Sequence, residues 1–316
     1  MSAAPIITRS ESRRGMARRF WDSDLAYSFR RSKVAVAAGV ITFVYLFAAL
    51  FAPLIAPHDP YDMASIRILD AFLPPAWVEG GDSRFLLGTD NVGRGVLSTI
   101  IHGSRISLGV GLASVILAAT LGVTLGLISG FVGGRVDAVI MRIAEVQLSF
   151  PDILIALLID GIIRSILGPG AHGNIAFFVV IAAISLAYWV QFARIVRATT
   201  MVEKSKDYIS AARVAGKSPS YIMFRHLLPN VMGPVLVIAT ISLALAIVTE
   251  ATLSFLGVGV PPTQPSLGTL IRVGNDFLFS GEWWITIFPG IALAIMGLSV
   301  NLLGDWLRDA LNPKLR

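Results

Sequence analysis

"VMGPVLVIATISLALAIVTEATLSFL", residues 231–256, runs for 26 positions with one charged side chain, Glu250. A hydrocarbon core about 30 Å thick is crossed by roughly 20 apolar residues in a helix, so this stretch is long enough to span a bilayer. Five more runs accompany it: Val34–Ala56, Ile106–Gly130, Val136–Ile159, Ile175–Val196 and Trp284–Leu303. The weakest is Val136–Ile159, because it carries Asp137, Arg142, Glu145 and Asp152. Composition agrees: 55% of the 316 residues are hydrophobic and 15% charged, against about 45–50% and about 25% in soluble domains. One water-soluble core cannot hide that excess. The expected fold class is therefore all-α, a polytopic membrane protein with six transmembrane helices. The first run is too long for a cleaved signal segment and reads as an uncleaved anchor. Arg13-Arg14 lies some twenty residues upstream of that run and reads as a chance pair rather than a twin-arginine signal. The absence of cysteine excludes disulfides and thiolate chemistry.

Six spans put both termini on one side. With the termini inside, 20 of the 26 Lys and Arg residues fall on internal segments; outside are Arg67, Arg84, Arg94, Arg105, Arg164 and Arg272. Basic residues are retained on the cytoplasmic side of short loops, which sets both termini in the cytoplasm. The net charge of +6 is then a matter of topology and attraction to anionic lipid, not a nucleic-acid footprint. The chain divides into a basic cytoplasmic segment (1–33), a first span (34–56), an external loop (57–105), a core with five spans (106–306) and a cytoplasmic tail (307–316). Within the core, 197–230 is the largest internal loop.

That loop contains "SAARVAGKSPSYIMFRHLLPN", residues 210–230. Gly216-Lys217-Ser218 has the ending of a phosphate-cradling loop, but Ala211 stands where that motif needs its first glycine, and no strand precedes it. Direct ATP binding is not expected. The residues spell two short helices instead. Ser205 is placed to cap Lys206–Ala215, with Asp207 in the first turn, and Gly216 supplies a left-handed ending. Ser218 caps again, Pro219 takes the first helical position and Pro229 closes the second helix. Helical spacing puts Tyr208, Ala211, Ala212 and Ala215 on one side, where small side chains permit close approach of another surface, either a partner's or the subunit's own.

"DYISAARVAGKSPSYIMFRHLLPN" resembles the EAA-type loop of binding-protein-dependent ABC importer permeases, the match falling on Ala211, Ala212, Gly216, Ile222, His226, Leu227, Leu228 and Pro229. Ser210 stands where that family usually has Glu. Four further stretches resemble the C-type permease of dipeptide and oligopeptide importers. These are "LLGTDNVGRGVLSTIIHGSRISL" from Leu86, "FVGGRVDAVIMRIAEVQLSFP" from Phe131, "EATLSFLGVGVPPTQPSLGTLI" from Glu250 and "NLLGDWLRDALNPKLR" at the end. Gly95 replaces the usual Asp of G-R-D. The resemblance implies that the loop forms coupling helices docked in a groove of a separate ATPase subunit. ATP and Mg would sit on two such partner chains, with no cofactor or metal in this one. It also implies a second homologous permease subunit, an external substrate-binding protein and a bacterial or archaeal plasma membrane, the inner membrane in a Gram-negative cell. The implied cargo is dipeptides or oligopeptides, with nickel, glutathione, opines or sugars as alternatives within the class.

At about 100° per residue, Arg142, Glu145, Ser149, Asp152 and Asp160 fall within one arc of the third span. Glu145, Ser149 and Asp152 are the candidates for a wall of the translocation path; a buried seam between helices is the other reading, and Pro151 is placed to kink the arc. Glu250 either meets cargo or closes an inter-helix hydrogen bond. Ser114, Ala118, Gly122, Gly126 and Gly130, four apart, form a ridge for close packing, against the second permease or the subunit's own core. Catalytic patterns are missing: His58, His102, His172 and His226 are scattered, and neither H-E-x-x-H nor G-x-S-x-G occurs. The chain is not expected to be an enzyme. A secondary carrier remains the rival, but it calls for paired interrupted spans with ion ligands at mid-membrane, and no such pair is evident.

Overall fold

The computed structural model describes residues 24–62, 66–261 and 263–311, with the side chains of 24, 25, 164, 167–174 and 311 outside that description. Arg9, Arg13, Arg14, Arg18, Arg19, Lys314, Arg316 and the side chains of Arg164 and His172 thus lie outside the described residues. In chain order the helices are α1 (Asp24–Arg31), α2 (Lys33–Leu50), α3 (Ala52–Ile55), α4 (Val96–Val132), α5 (Gly134–Leu148) and α6 (Asp152–Lys204). Next come α7 (Asp207–Val214), α8 (Pro219–Tyr221), a π-helical turn (Ile222–Leu227), α9 (Leu228–Phe255), α10 (Leu267–Asn275) and α11 (Trp284–Leu311). Among the described residues there is no β-strand, only an isolated bridge between Thr89 and Gly95.

Among the described residues, five segments are individually long and apolar enough to cross a membrane: Lys33–Leu50, Val96–Val132, Ile175–Lys204, Pro219–Phe255 and Trp284–Ala310. A sixth is completed only by joining α5 to Asp152–Ile163 across a bend of 98°. The expected third span, Val136–Ile159, is therefore two pieces. Pro151 has no N–H to continue the ladder and disfavours helical backbone at Phe150. α5 accordingly ends at Leu148 with Ser149 as its cap, and α6 begins at Asp152. The loop expected over 57–105 is shorter: the helix before it breaks at Phe51 and resumes as α3 to Ile55, and the helix after it starts early. α2 stops at Leu50, just before Pro53 occupies the first turn of α3. α4 starts at Val96, so residues 96–105 are helix. Their polar side chains disguise that turn of sequence, yet Thr99 and Ser104 donate to helix carbonyls of Val96 and Ile100 and are buried.

The outer faces are apolar. Only 17% of the α2 window is buried, and Phe43 and Leu50 are 66% and 72% exposed. Acyl chains solvate such faces at no cost, while the helix satisfies its own backbone.

The ridge on α4 faces inward. A Cβ on Gly122 would overlap Phe192 and the Trp189 carbonyl; one on Gly126 would lie 2.5 Å from the Ala193 carbonyl, and one on Gly130 2.8 Å from that of Arg197. Ser114 and Ala118 are fully buried. The small residues thus let α4 lie directly against the backbone of α6, so this ridge belongs to the subunit's own core. Tyr45 donates to the Ala292 carbonyl (2.9 Å), tying α2 to α11.

Glu250 resolves in the same direction. Its carboxyl is fully buried and accepts hydrogen bonds from Ser107 on α4 (2.8 Å) and from Ser254 (2.7 Å). Ser107 accepts from the Leu267 N–H (3.2 Å) and Ser254 from that of Val260 (3.3 Å). One acidic group organises the turn between α9 and α10 by way of two hydroxyls.

Candidate functional site

Residues 205–230 emerge at the bundle end where α4, α5 and α6 are clamped together. Arg197 forks onto Asp137 with bonds of 2.5 and 2.7 Å, and Ser129 donates to the same carboxylate. Paired N–H donors on a carboxylate fix orientation as well as distance. Lys204 donates to the Phe131 carbonyl (2.5 Å), and Lys204 and Arg213 both lie over the Phe131 ring. The loop therefore leaves a rigid platform.

Within it, α7 spans Asp207–Val214 rather than Lys206–Ala215, and its N-cap is Lys206. Ser205 instead caps the end of α6, its hydroxyl turned back to the Val202 carbonyl (2.8 Å). The α6 ladder outcompetes it, running on through Lys204. Gly216 has φ +72°. Around it the Lys217 N–H donates to Ala212 (3.1 Å) and the Gly216 N–H to Arg213 (3.0 Å). Those paired bonds close the helix by a Schellman ending. Ser218 accepts from the Tyr221 N–H, and Pro219 takes the first helical position.

Pro229 does not close the second helix. Apolar sequence follows it, and Pro219–Phe255 is one continuous segment. The backbone makes room for the proline by widening to a π-turn over Ile222–Leu227, where the Leu228 N–H reaches back five residues to Met223. A proline ring collides with the carbonyl four residues earlier in a regular helix, and a wider turn relieves that contact. The His226 carbonyl is taken up by the Asn230 amide (2.7 Å).

Ile209, Ile222 and Leu227 are buried in the same apolar cluster as Val231 and Val235. These pins hold the loop down. Above them, Ser210, Ala211 and residues 213–221 are exposed, Val214 to 90%. The expected single face is split: Ala211 and Ala215 point outward, whereas Ala212 is half-buried against the core. Tyr208 is a hub. It donates to Glu203 (2.8 Å), accepts from Asn230 (3.1 Å) and sets its ring 6.3 Å from that of His226, which also lies 5.6 Å from Tyr221. Burial, and then the Glu203 carboxylate, push the Tyr208 phenol above its ordinary range, keeping it a donor. Val214, Ile209, Glu203 and Asn230 escaped the sequence reading. Val214 and Ile209 were legible only as opposite faces of α7, and the other two act through contacts across the loop.

The remaining candidates are dispersed. Arg142 and Glu145 pair at 3.6 Å on an exposed face, and Ser149 donates to the Glu145 carbonyl. Asp152 starts the next helix across the 98° bend, so the five-residue arc is not one stripe. At the opposite end of the bundle, His58 Nε2 accepts from the Gly95 N–H (3.0 Å). A Cβ on residue 95 would overlap that imidazole, which gives the Gly95 departure a physical reason. Burial, and then nearby His102, lower the His58 pKa from its ordinary value. Among the described residues no three metal-ligating side chains cluster.

The chain matches known proteins along its length. Residues 122–316 match the family described as binding-protein-dependent transport system inner membrane component, and residues 18–75 match the N-terminal TM domain of oligopeptide transport permease C. The di/tripeptide transport system permease protein DppC of Pseudomonas aeruginosa (strain UCBPP-PA14) is 41% identical over 297 residues, covering 94% of this chain and 92% of its own. The dipeptide transport system permease protein DppC of Escherichia coli (strain K12) is 41% identical over 298 residues, covering 94% and 93%. A solved inward-facing structure of the MetNI methionine ABC transporter shares the fold, with a TM-score of 0.53 at 19% identity, over 68% of this chain and 96% of that one. Family match, full-length relatives and shared fold converge, and the chain belongs to the inner membrane components of binding-protein-dependent transport systems.

Proposed function

We propose that the chain is one of two permease subunits of an ATP-driven importer of dipeptides or oligopeptides, and forms half of its translocation path. Residues 206–225 are its grip on a separate ATPase chain, and ATP and Mg act there. An external substrate-binding protein delivers cargo to the opposite end. In this reading the loop end is cytoplasmic and the membrane is the bacterial inner membrane.

One observation carries the coupling role. The loop exposes an unbroken stretch from 213 to 221, Val214 included, while Ile209, Ile222 and Leu227 pin it to the span core. A knob that is apolar at its tip and rigid at its root transmits a push; a loosely tethered loop does not. Glu145, Ser149 and Asp152, around the α5–α6 bend, are the proposed lining of the path. The peptide cargo follows the relatives named above.

The test is purification and reconstitution. The complex should copurify with two ATPase chains and a second permease, and vesicles should accumulate a labelled dipeptide only with ATP and the loaded binding protein. Uptake that persists without nucleotide, or collapses with the ion gradient, would select the secondary carrier instead.

A further inference from the structure

A cleft of about 580 Å³ opens at the end of the bundle opposite the loop, between the exit of α3, the first turns of α4 and the apolar part of α6. Its walls carry Arg105, Asp59, Tyr61, His102, Phe178 and Gln264. Ligand sites are typically about 300–1,000 Å³, mostly apolar, with a few convergent polar groups.

Part of the polar capacity here is uncommitted. Arg105 is exposed and forms no ion pair among the described residues; in particular, none joins it to Asp59. Burial raises the pKa of the Tyr61 phenol, and Arg94, Asp59 and Arg105 act on it in that order, so the ring lies within reach of all three charges. Asp59 uses one oxygen to accept from the Tyr61 N–H (2.9 Å). His102 is buried, with Nδ1 committed to the Ser98 carbonyl (3.0 Å) and no hydrogen bond on Nε2 among the described residues. Phe178, 68% exposed, supplies an apolar surface. A guanidinium and a carboxylate that line one cleft without pairing match a ligand with opposite charges at its two ends. Two extended residues span at most about 7 Å, a length such a cleft accommodates.

We infer that this cleft is the receiving site for cargo at the outer mouth, with Arg105 holding the α-carboxylate and Asp59 the α-ammonium of a short zwitterionic peptide. The guanidinium fork suits a carboxylate bidentately, and a lysine there would act only as a point charge. Phe178 faces the cargo's side chain. The inference rests on the peptide reading for its cargo, but not for the charge character of the site.

Two measurements on the complete transporter in membrane vesicles separate these. In the first, Gln264→Cys gives this thiol-free chain a single reporter in the cleft. Adding Arg105→Gln should slow labelling by an anionic methanethiosulfonate several-fold, and adding Asp59→Asn should slow labelling by a cationic one. In the second, ATP-dependent uptake of the dipeptide Ala-Ala should fall about tenfold or more in Arg105→Gln and less in Arg105→Lys. ATP hydrolysis stimulated by the loaded binding protein should persist in both. Labelling rates unmoved by both substitutions, or unchanged uptake in Arg105→Gln, overturn the site. Loss of stimulated hydrolysis together with uptake also overturns it, since Arg105 would then serve docking of the binding protein. If the unmodified transporter takes up no Ala-Ala, the peptide reading falls, and the labelling rates alone judge the cleft.

Discussion

Replacing Gly216 by valine should uncouple the importer through backbone conformation alone. At φ +72° an L-residue is strained by about 1–2 kcal/mol, and a β-branched one lies at the upper end or beyond. Opposing this are the two exposed bonds of the turn, Lys217 to Ala212 and Gly216 to Arg213, each contributing about 1 kcal/mol net. The balance falls near zero, so the turn passes from almost always formed to about half formed or less. A docking loop populated only in part weakens apparent affinity by that fraction. Uptake and stimulated ATP hydrolysis should drop by about two- to tenfold in the reconstituted complex, with alanine intermediate. Gly216→Asn is the decisive companion, because asparagine tolerates the left-handed region. Among the described residues, chain neighbours aside, no atom lies within 4 Å of a Cβ at 216, so crowding would come from the partner. Normal coupling in Gly216→Val would refute the turn's role. Equal damage by asparagine and valine would refute the conformational cause and indicate a tight partner groove.

Val214→Asp should leave the melting temperature in detergent unchanged, since a residue 90% exposed contributes little to the fold, yet it should lower copurification of the ATPase chain severalfold. Gly95→Asp should destabilise the protein by collision with the His58 ring, and His58→Ala in the same chain should recover most of the loss; no recovery would place the clash elsewhere. His58 must stay neutral to accept from the Gly95 N–H. Its folded pKa is lowered, so its contribution is full above the ordinary imidazole value of about 6.5 and is lost as pH falls through the lowered one. Melting temperature should therefore decline on acidification below that value, and less so in His58→Gln. Single cysteines at Glu145, Ser149 and Asp152 should react with membrane-impermeant thiol reagents in at least one transport state; uniform resistance would remove the bend from the path.

Much of the architecture follows from composition along the chain. Runs of twenty apolar residues have no stable place in water, and each expected run falls largely on helix, but the helices overshoot the runs: α4 begins at Val96 rather than Ile106, and the segment ending at Phe255 begins at Pro219 rather than Val231. The short-range chemistry of the loop was equally legible at Gly216, Ser218 and Pro219, because a left-handed ending, a hydroxyl cap and a first-turn proline each depend on one residue and its neighbours. What depends on competition between distant segments was not. Ser205 is claimed by the end of α6, Pro229 is absorbed by a π-turn because apolar packing carries the helix past it, and the arc through Arg142 to Asp160 breaks at Pro151 by 98°. The α4 ridge and Glu250 had two possible partners in sequence; only the packed structure assigns them, to the α6 backbone and to Ser107 and Ser254. His58 against Gly95, and Arg105 in one cleft with Asp59, are meetings between segments 37 and 46 residues apart. Local propensity has no term for such meetings, since they form only when helix packing brings the two ends of a loop to one mouth.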